Sequence, residues 1–124
     1  MTLGDPRYIN LRTFRKSGAG VDTPVWCAAV GDRLFAFSAG DAGKVKRLRN
    51  GDAVQVAVCD VRGRLLGDWV DGRAHIVTSG EEIERALAAL RKKYGWQMLL
   101  ADWGSRLTGR FGQRAYLCIT TKEA

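Results

Sequence analysis

Short strand-like runs joined by connections too brief for a parallel crossover constrain this chain more than any other feature. Tyr8 to Phe14, Val21 to Val30, Arg33 to Ser38, Ala53 to Cys59, Trp69 to Val77 and Ala115 to Thr121 each carry the apolar and β-branched alternation of a β-strand. A parallel pair needs a crossover of a dozen or more residues, and most of these connections are far shorter, which selects antiparallel pairing. Gly31-Asp32 between two of the runs is a tight hairpin signal. Pro24 cannot donate to a central ladder, so it marks an edge strand or an opening in the sheet.

Three helical patterns interrupt the strands. A short one spans about Lys44 to Arg49 and is stopped by Asn50-Gly51. A second opens at Ser79, with Glu82 three residues on as a capping box, and Gly95 ends it. Its apolar positions Ile83, Ala86, Leu87, Leu90 and Tyr94 recur at helical spacing, and Arg91, Lys92 and Lys93 in the last turn complement the helix dipole. The third uses Trp96, Leu99, Leu100, Trp103 and Leu107, an apolar face expected to lie in the core. At 124 residues the whole chain, 1–124, reads as one domain. The class is mainly β with helices (α+β): a small antiparallel barrel or sandwich carrying helices at one end.

Charge narrows the partner. The formal net charge is +7, which favours an anionic ligand or surface. Lys44, Lys46, Arg47 and Arg49 crowd into the short helix, directly after a Gly-rich turn and the Ser38 hydroxyl. On residue type alone that run is a solvated basic face; at a helix start it also suits phosphate. Arg62 and Arg64, in the loop 60–67, read as a solvated turn. A nucleic-acid-binding module fits the net charge, but the Lys and Arg residues are spread along the chain and no RNA-recognition or helix-turn-helix signature accompanies them.

Redox and catalytic signals are sparse. Cys27, Cys59 and Cys118 are far apart and lie in apolar runs, so they read as buried reduced thiols; a metal site would want closer spacing and more than the single histidine, and no metal ligand is assigned. His75 alternates with Arg73 and Asp71 and reads as a surface or rim residue. The run MTLGDPRY lacks the apolar core of a signal peptide, and no apolar stretch approaches the ~20 residues of a membrane-spanning helix, so the expected location is cytoplasmic with no membrane partner. There is no G-x-S-x-G elbow, P-loop or G-x-G-x-x-G order, and no catalytic side chain is assigned. An enzyme of this composition needs a cofactor to bring the reactivity.

Four stretches in order carry a resemblance: TPVW at 23–26, GDRLFAFSAG at 31–40, GKVKRLR at 43–49 and VCDVRGRLLGDWVDGRAHIV at 58–77. Together they resemble the pyridoxamine 5′-phosphate oxidase-like (PPOX-class) flavin/deazaflavin oxidoreductases, most of all the type dependent on coenzyme F-420, and the likeness runs from Tyr8 to Thr121. It implies a split β-barrel, antiparallel and Greek-key-like, that forms a homodimer with its cofactor sites between subunits. The implied cofactor is F-420, with FMN as the alternative; some relatives carry haem. By position, Ser38, Lys44, Lys46 and Arg47 would lie near the cofactor phosphate. Thr23, Val25 and Trp26 would line the ring, partly through backbone atoms. Cys27 stands where an aromatic residue commonly follows the Trp. The implied activity is hydride transfer to a small conjugated or quinone-like acceptor, with a flavin- or haem-carrying protein of the same fold as the non-catalytic alternative.

Overall fold

In a computed structural model, residues 8–39, 43–48, 51–107 and 114–121 are described. Seven strands form one antiparallel sheet: β1 (Tyr8–Phe14), β2 (Gly20–Val25), β3 (Cys27–Val30), β4 (Arg33–Ala39), β5 (Ala53–Cys59), β6 (Val70–Ile76) and β7 (Arg114–Thr121). Their spatial order is β2-β1-β5-β6-β7-β4-β3. Three helices accompany them: α1 (Gly43–Leu48) between β4 and β5, and α2 (Gly80–Tyr94) and α3 (Trp96–Leu107) between β6 and β7. The expected α+β class and antiparallel barrel are what the chain adopts.

The run Val21 to Val30, expected as one strand, divides at Trp26. Its first half pairs with β1, placing Val25 opposite Ile9. Its second half pairs with β4, placing Cys27 opposite Ala36. Because β2 and β3 are the two edges of the sheet, a single stretch of chain supplies both edges, and the sheet curls into a half-barrel around the step at Trp26. Pro24 sits on the edge strand β2, opposite Asn10, as its missing N–H requires. The β3–β4 hairpin turns through Gly31 at φ 61°, the left-handed conformation that favours glycine, with Val30 opposite Arg33. Gly72 on β6 admits a close strand approach, since a Cβ there would fall 2.6 Å from the Thr120 carbonyl oxygen.

Period-two alternation sorts the side chains into two cores. Ile9, Leu11, Val25, Cys27, Val54, Val56, Leu117 and Ile119 fill the barrel, with Leu48 of α1 closing onto them. Phe35, Tyr116 and Cys118 point the other way, against Ala86, Leu90, Tyr94 and Met98 of the α2–α3 pair. Ser79 caps α2, its hydroxyl accepting from the Glu82 N–H, and Gly95 ends the helix, both as read from the sequence. All three cysteines are buried, as expected, and no disulfide joins them among the described residues. No helix among the described residues is long and apolar enough to cross a membrane.

Candidate functional site

α1 is held by its apolar side. Val45 and Leu48 are buried, which turns Lys46 to solvent and leaves Lys44 and Arg47 half-buried one turn apart. The Arg47 Nε donates to the Thr13 hydroxyl at 2.6 Å, and Thr13 is buried at the end of β1. That bond ties α1 to β1 and fixes where the guanidinium lies. Burial, and secondarily the nearby Arg47 charge, holds the Lys44 amine below its ordinary range. An anion placed here would relieve both effects.

Beside Arg47 opens a cleft of about 310 Å³ lined by Phe14, Arg15, Lys16, Arg47, Gly51 and Ala53. Its three cations come from segments some thirty residues apart, brought together because β1 and β5 are antiparallel neighbours, with Arg12 opposite Gln55. A second cleft of about 370 Å³ shares Phe14 and Ala53 with the first and continues past Gln55, Arg73 and Thr120. Arg15 and Lys16 carry no mark in the sequence beyond a turn. The signal that finds them is strand pairing, which sets the end of β1 beside the start of β5 and hence beside the end of α1.

Of the residues assigned to the phosphate, Arg47 lines this cleft, Lys44 lies one turn before it and Lys46 faces solvent on the same helix. Ser38 is buried on β4, opposite Ala115, and lines neither cleft. Arg49 lies outside the described residues. The residues assigned to the ring sit at the barrel split. Thr23 is half-buried opposite Leu11. Val25 points its side chain into the barrel core, so only its backbone can face a ligand. Trp26, half-buried, stacks on Tyr94 at 4.5 Å between ring centres and 11° between planes, and meets Phe37 edge-on at 6.2 Å. The 310 Å³ cleft contains none of these three. His75 is exposed, as expected. Arg62 and Arg64 form the solvated turn read for them, with both N–H groups on the Asp60 carboxylate.

One expectation is corrected. Trp96, Leu99, Leu100, Trp103 and Leu107 do share a face of α3, but that face is turned outward, with Trp96 68 % and Trp103 64 % exposed. What packs inward is Met98 and Asp102. Asp102 accepts from Arg91 at 2.9 Å and from Arg114 at 2.7 Å, and this pair of bonds fixes the rotation of α3 about its axis.

The donor set fits the phosphate end of a flavin-type cofactor: three cations on one cleft, a half-buried amine one helical turn away, and no carboxylate among the described cleft residues. Solved structures share the whole architecture. This is the split barrel of pyridoxamine 5′-phosphate oxidase-like proteins. An FAD-binding protein from Mesorhizobium loti is 20 % identical, with 98 % of this chain covering 83 % of it at a TM-score of 0.64. A protein named an F420 reductase is 15 % identical, with 97 % covering 90 % at 0.59. HutZ, a haem storage protein from Vibrio cholerae, is 11 % identical, with 97 % covering 84 % at 0.70. No protein-family model and no curated protein matches the sequence.

Proposed function

We propose that this protein binds coenzyme F-420 and passes a hydride from it to a small conjugated or quinone-like acceptor. The observation that carries the reading is the convergence of Arg15, Lys16 and Arg47 on one cleft, with the half-buried Lys44 one helical turn from Arg47. F-420 carries a phosphodiester and an oligoglutamate tail, and clustered cations both steer such an anion and hold it. When bound, the deazaflavin supplies the hydride. The chain's own residues bind and orient: Arg47 and Lys44 take the phosphate, and Trp26, braced by Tyr94, gives an apolar wall that excludes water at the barrel split. The shared fold with an F420 reductase and an FAD-binding protein supports the reading. A second reading, a cofactor carrier without turnover, is favoured by the likeness to the haem storage protein.

Lys44→Ala is the test. A charge-assisted hydrogen bond contributes about 1.5–3 kcal/mol, so the substitution should weaken F-420 binding by roughly ten- to a hundredfold in a fluorescence titration, with the affinity of the unaltered protein falling as salt rises. Lys92→Ala, on the exposed last turn of α2, should change it little. Equal losses for both would reduce the site to a diffuse field. FMN that co-purifies, with no F-420 binding, would move the protein to the flavin branch.

The outward apolar face of α3 supports a homodimer, since soluble monomers seldom expose a contiguous patch of this kind. Light scattering should give twice the chain mass at micromolar concentration. Trp103→Glu, which sets a charge in the middle of the face, should return the monomer. A monomer mass for the unaltered protein with cofactor present would remove the dimer from the proposal.

A further inference from the structure

We propose that His75, Glu82 and Cys118 form a binding site for a thiophilic divalent cation, with zinc as the ion of choice. The three are distant in sequence, and three elements bring them together. His75 on β6 and Cys118 on β7 are directly opposed across the ladder, so their side chains share a face of the sheet. Cys118 belongs to the layer that packs under α2, and Glu82 enters from the first turn of that helix. The imidazole nitrogen, the carboxylate oxygen and the thiol sulfur all lie within 4.8 Å of one another.

Glu82 supplies the most telling detail. In a capping box the glutamate carboxylate turns back to the N-cap N–H. Here the Ser79 hydroxyl accepts from the Glu82 N–H, but the carboxylate turns to His75 instead. Its Oε1 is 3.6 Å from the His75 Nε2, too long for a hydrogen bond. That oxygen is buried with no partner at ordinary hydrogen-bond geometry, and the Cys118 thiol offers the carboxylate only a weak donor, so the group stays poorly satisfied unless something else completes it. A metal ion does so.

Chemistry and geometry agree on the ion. One imidazole, one carboxylate and one thiolate are a three-ligand zinc set that leaves a fourth position for water. Tetrahedral bonds of ~2.0–2.3 Å place ligand atoms ~3.3–3.8 Å apart. The His75–Glu82 separation already has that value, and the sulfur, within 4.8 Å of both, has at most a small shift to make. The exposed imidazole gives an entry path, whereas Cys118 is 1 % exposed. On binding, the thiol loses its proton to solvent and sulfur donates the electron pair. Two anionic ligands then face the dication, with Arg33 the neighbouring cation and Asp32 a further anion. Occupied, the site would pin the start of α2 to the β6–β7 ladder.

Tag-free protein, stripped with a chelator and titrated with Co²⁺, tests the assignment. One equivalent should bind with a thiolate-to-cobalt charge-transfer band in the near ultraviolet, which Zn²⁺ then abolishes, and Zn²⁺ should raise the thermal unfolding midpoint. Cys118→Ser should remove the band. His75→Ala, at an exposed position that leaves folding intact, should weaken Zn²⁺ binding by more than the ~10–100-fold that losing an outer-sphere partner costs, and should cancel the thermal shift. Absence of the band in the unaltered protein would overturn the site, as would a band that survives Cys118→Ser or zinc affinity unmoved by His75→Ala. If Cys118→Ser does not fold, the His75→Ala result decides.

Discussion

Asp102→Asn should destabilise the protein by about 3–5 kcal/mol, measured as a fall in the urea midpoint at unchanged slope. The carboxylate is buried against two guanidinium groups, at 2.9 Å from Arg91 and 2.7 Å from Arg114. Arg91 is 38 % exposed and can turn to water, but the Arg114 side chain is 4 % exposed. Removing the negative partner leaves a cation where water cannot solvate it, and that penalty, more than the lost attraction, sets the size of the effect. Replacing the pair together, with Asp102→Leu and Arg114→Met, should recover most of the loss, since well-packed apolar groups often match a buried ion pair. A double variant as unstable as Asp102→Asn would show that the effect lies elsewhere. The consequence reaches the surface, because these bonds set which side of α3 faces out. Asp102→Asn should therefore also weaken self-association in light scattering, although it touches no residue of the outward apolar face.

How far the sequence could be read depends on which interactions leave a periodic trace. The Ser79 cap of α2, the hairpin at Gly31-Asp32 and the edge position of Pro24 are local, and all three are as their residues dictate, although the Glu82 carboxylate leaves the capping box half made. Strands β1 and β5 match their expected bounds. The division at Trp26 was invisible for a physical reason. Val25 and Cys27 both point into the barrel, while Ala28 points toward α2, so the alternation runs unbroken through the step. Only the hydrogen-bonding partner changes, from β1 to β4, and no side-chain pattern records that. Helical spacing likewise identified an apolar face on α3 but not what covers it; the buried Asp102, bound to residues 11 and 12 positions away, decides that. At the candidate site, the cations of α1 were legible as a cluster. Arg15 and Lys16 were not, because their approach to Arg47 follows from strand pairing.

Removing the Tyr94 side chain should cost as much as losing Asp102, and it bears on the ring site. Tyr94 braces the step at which the chain passes from one edge of the sheet to the other. Its hydroxyl accepts from the Cys27 N–H and donates to the Cys27 carbonyl, each at 2.9 Å. Its ring stacks on Trp26. Lys93 donates to the same carbonyl, so in Tyr94→Phe that oxygen keeps a donor, while the buried Cys27 N–H loses this acceptor. A buried group stripped of its partner costs about 1–3 kcal/mol, which is the expected effect of Tyr94→Phe. Tyr94→Ala adds the cavity and the lost stacking, for about 3–5 kcal/mol in total. Urea unfolding of the two variants separates the hydroxyl from the ring. The same comparison in a cofactor titration separates backbone from wall. Tyr94→Phe keeps Trp26 stacked and should bind F-420 nearly as the unaltered protein does, whereas Tyr94→Ala frees Trp26 and should bind more weakly at temperatures where the variant remains folded. Equal affinity for the two would mean that Trp26 forms no part of the ring site.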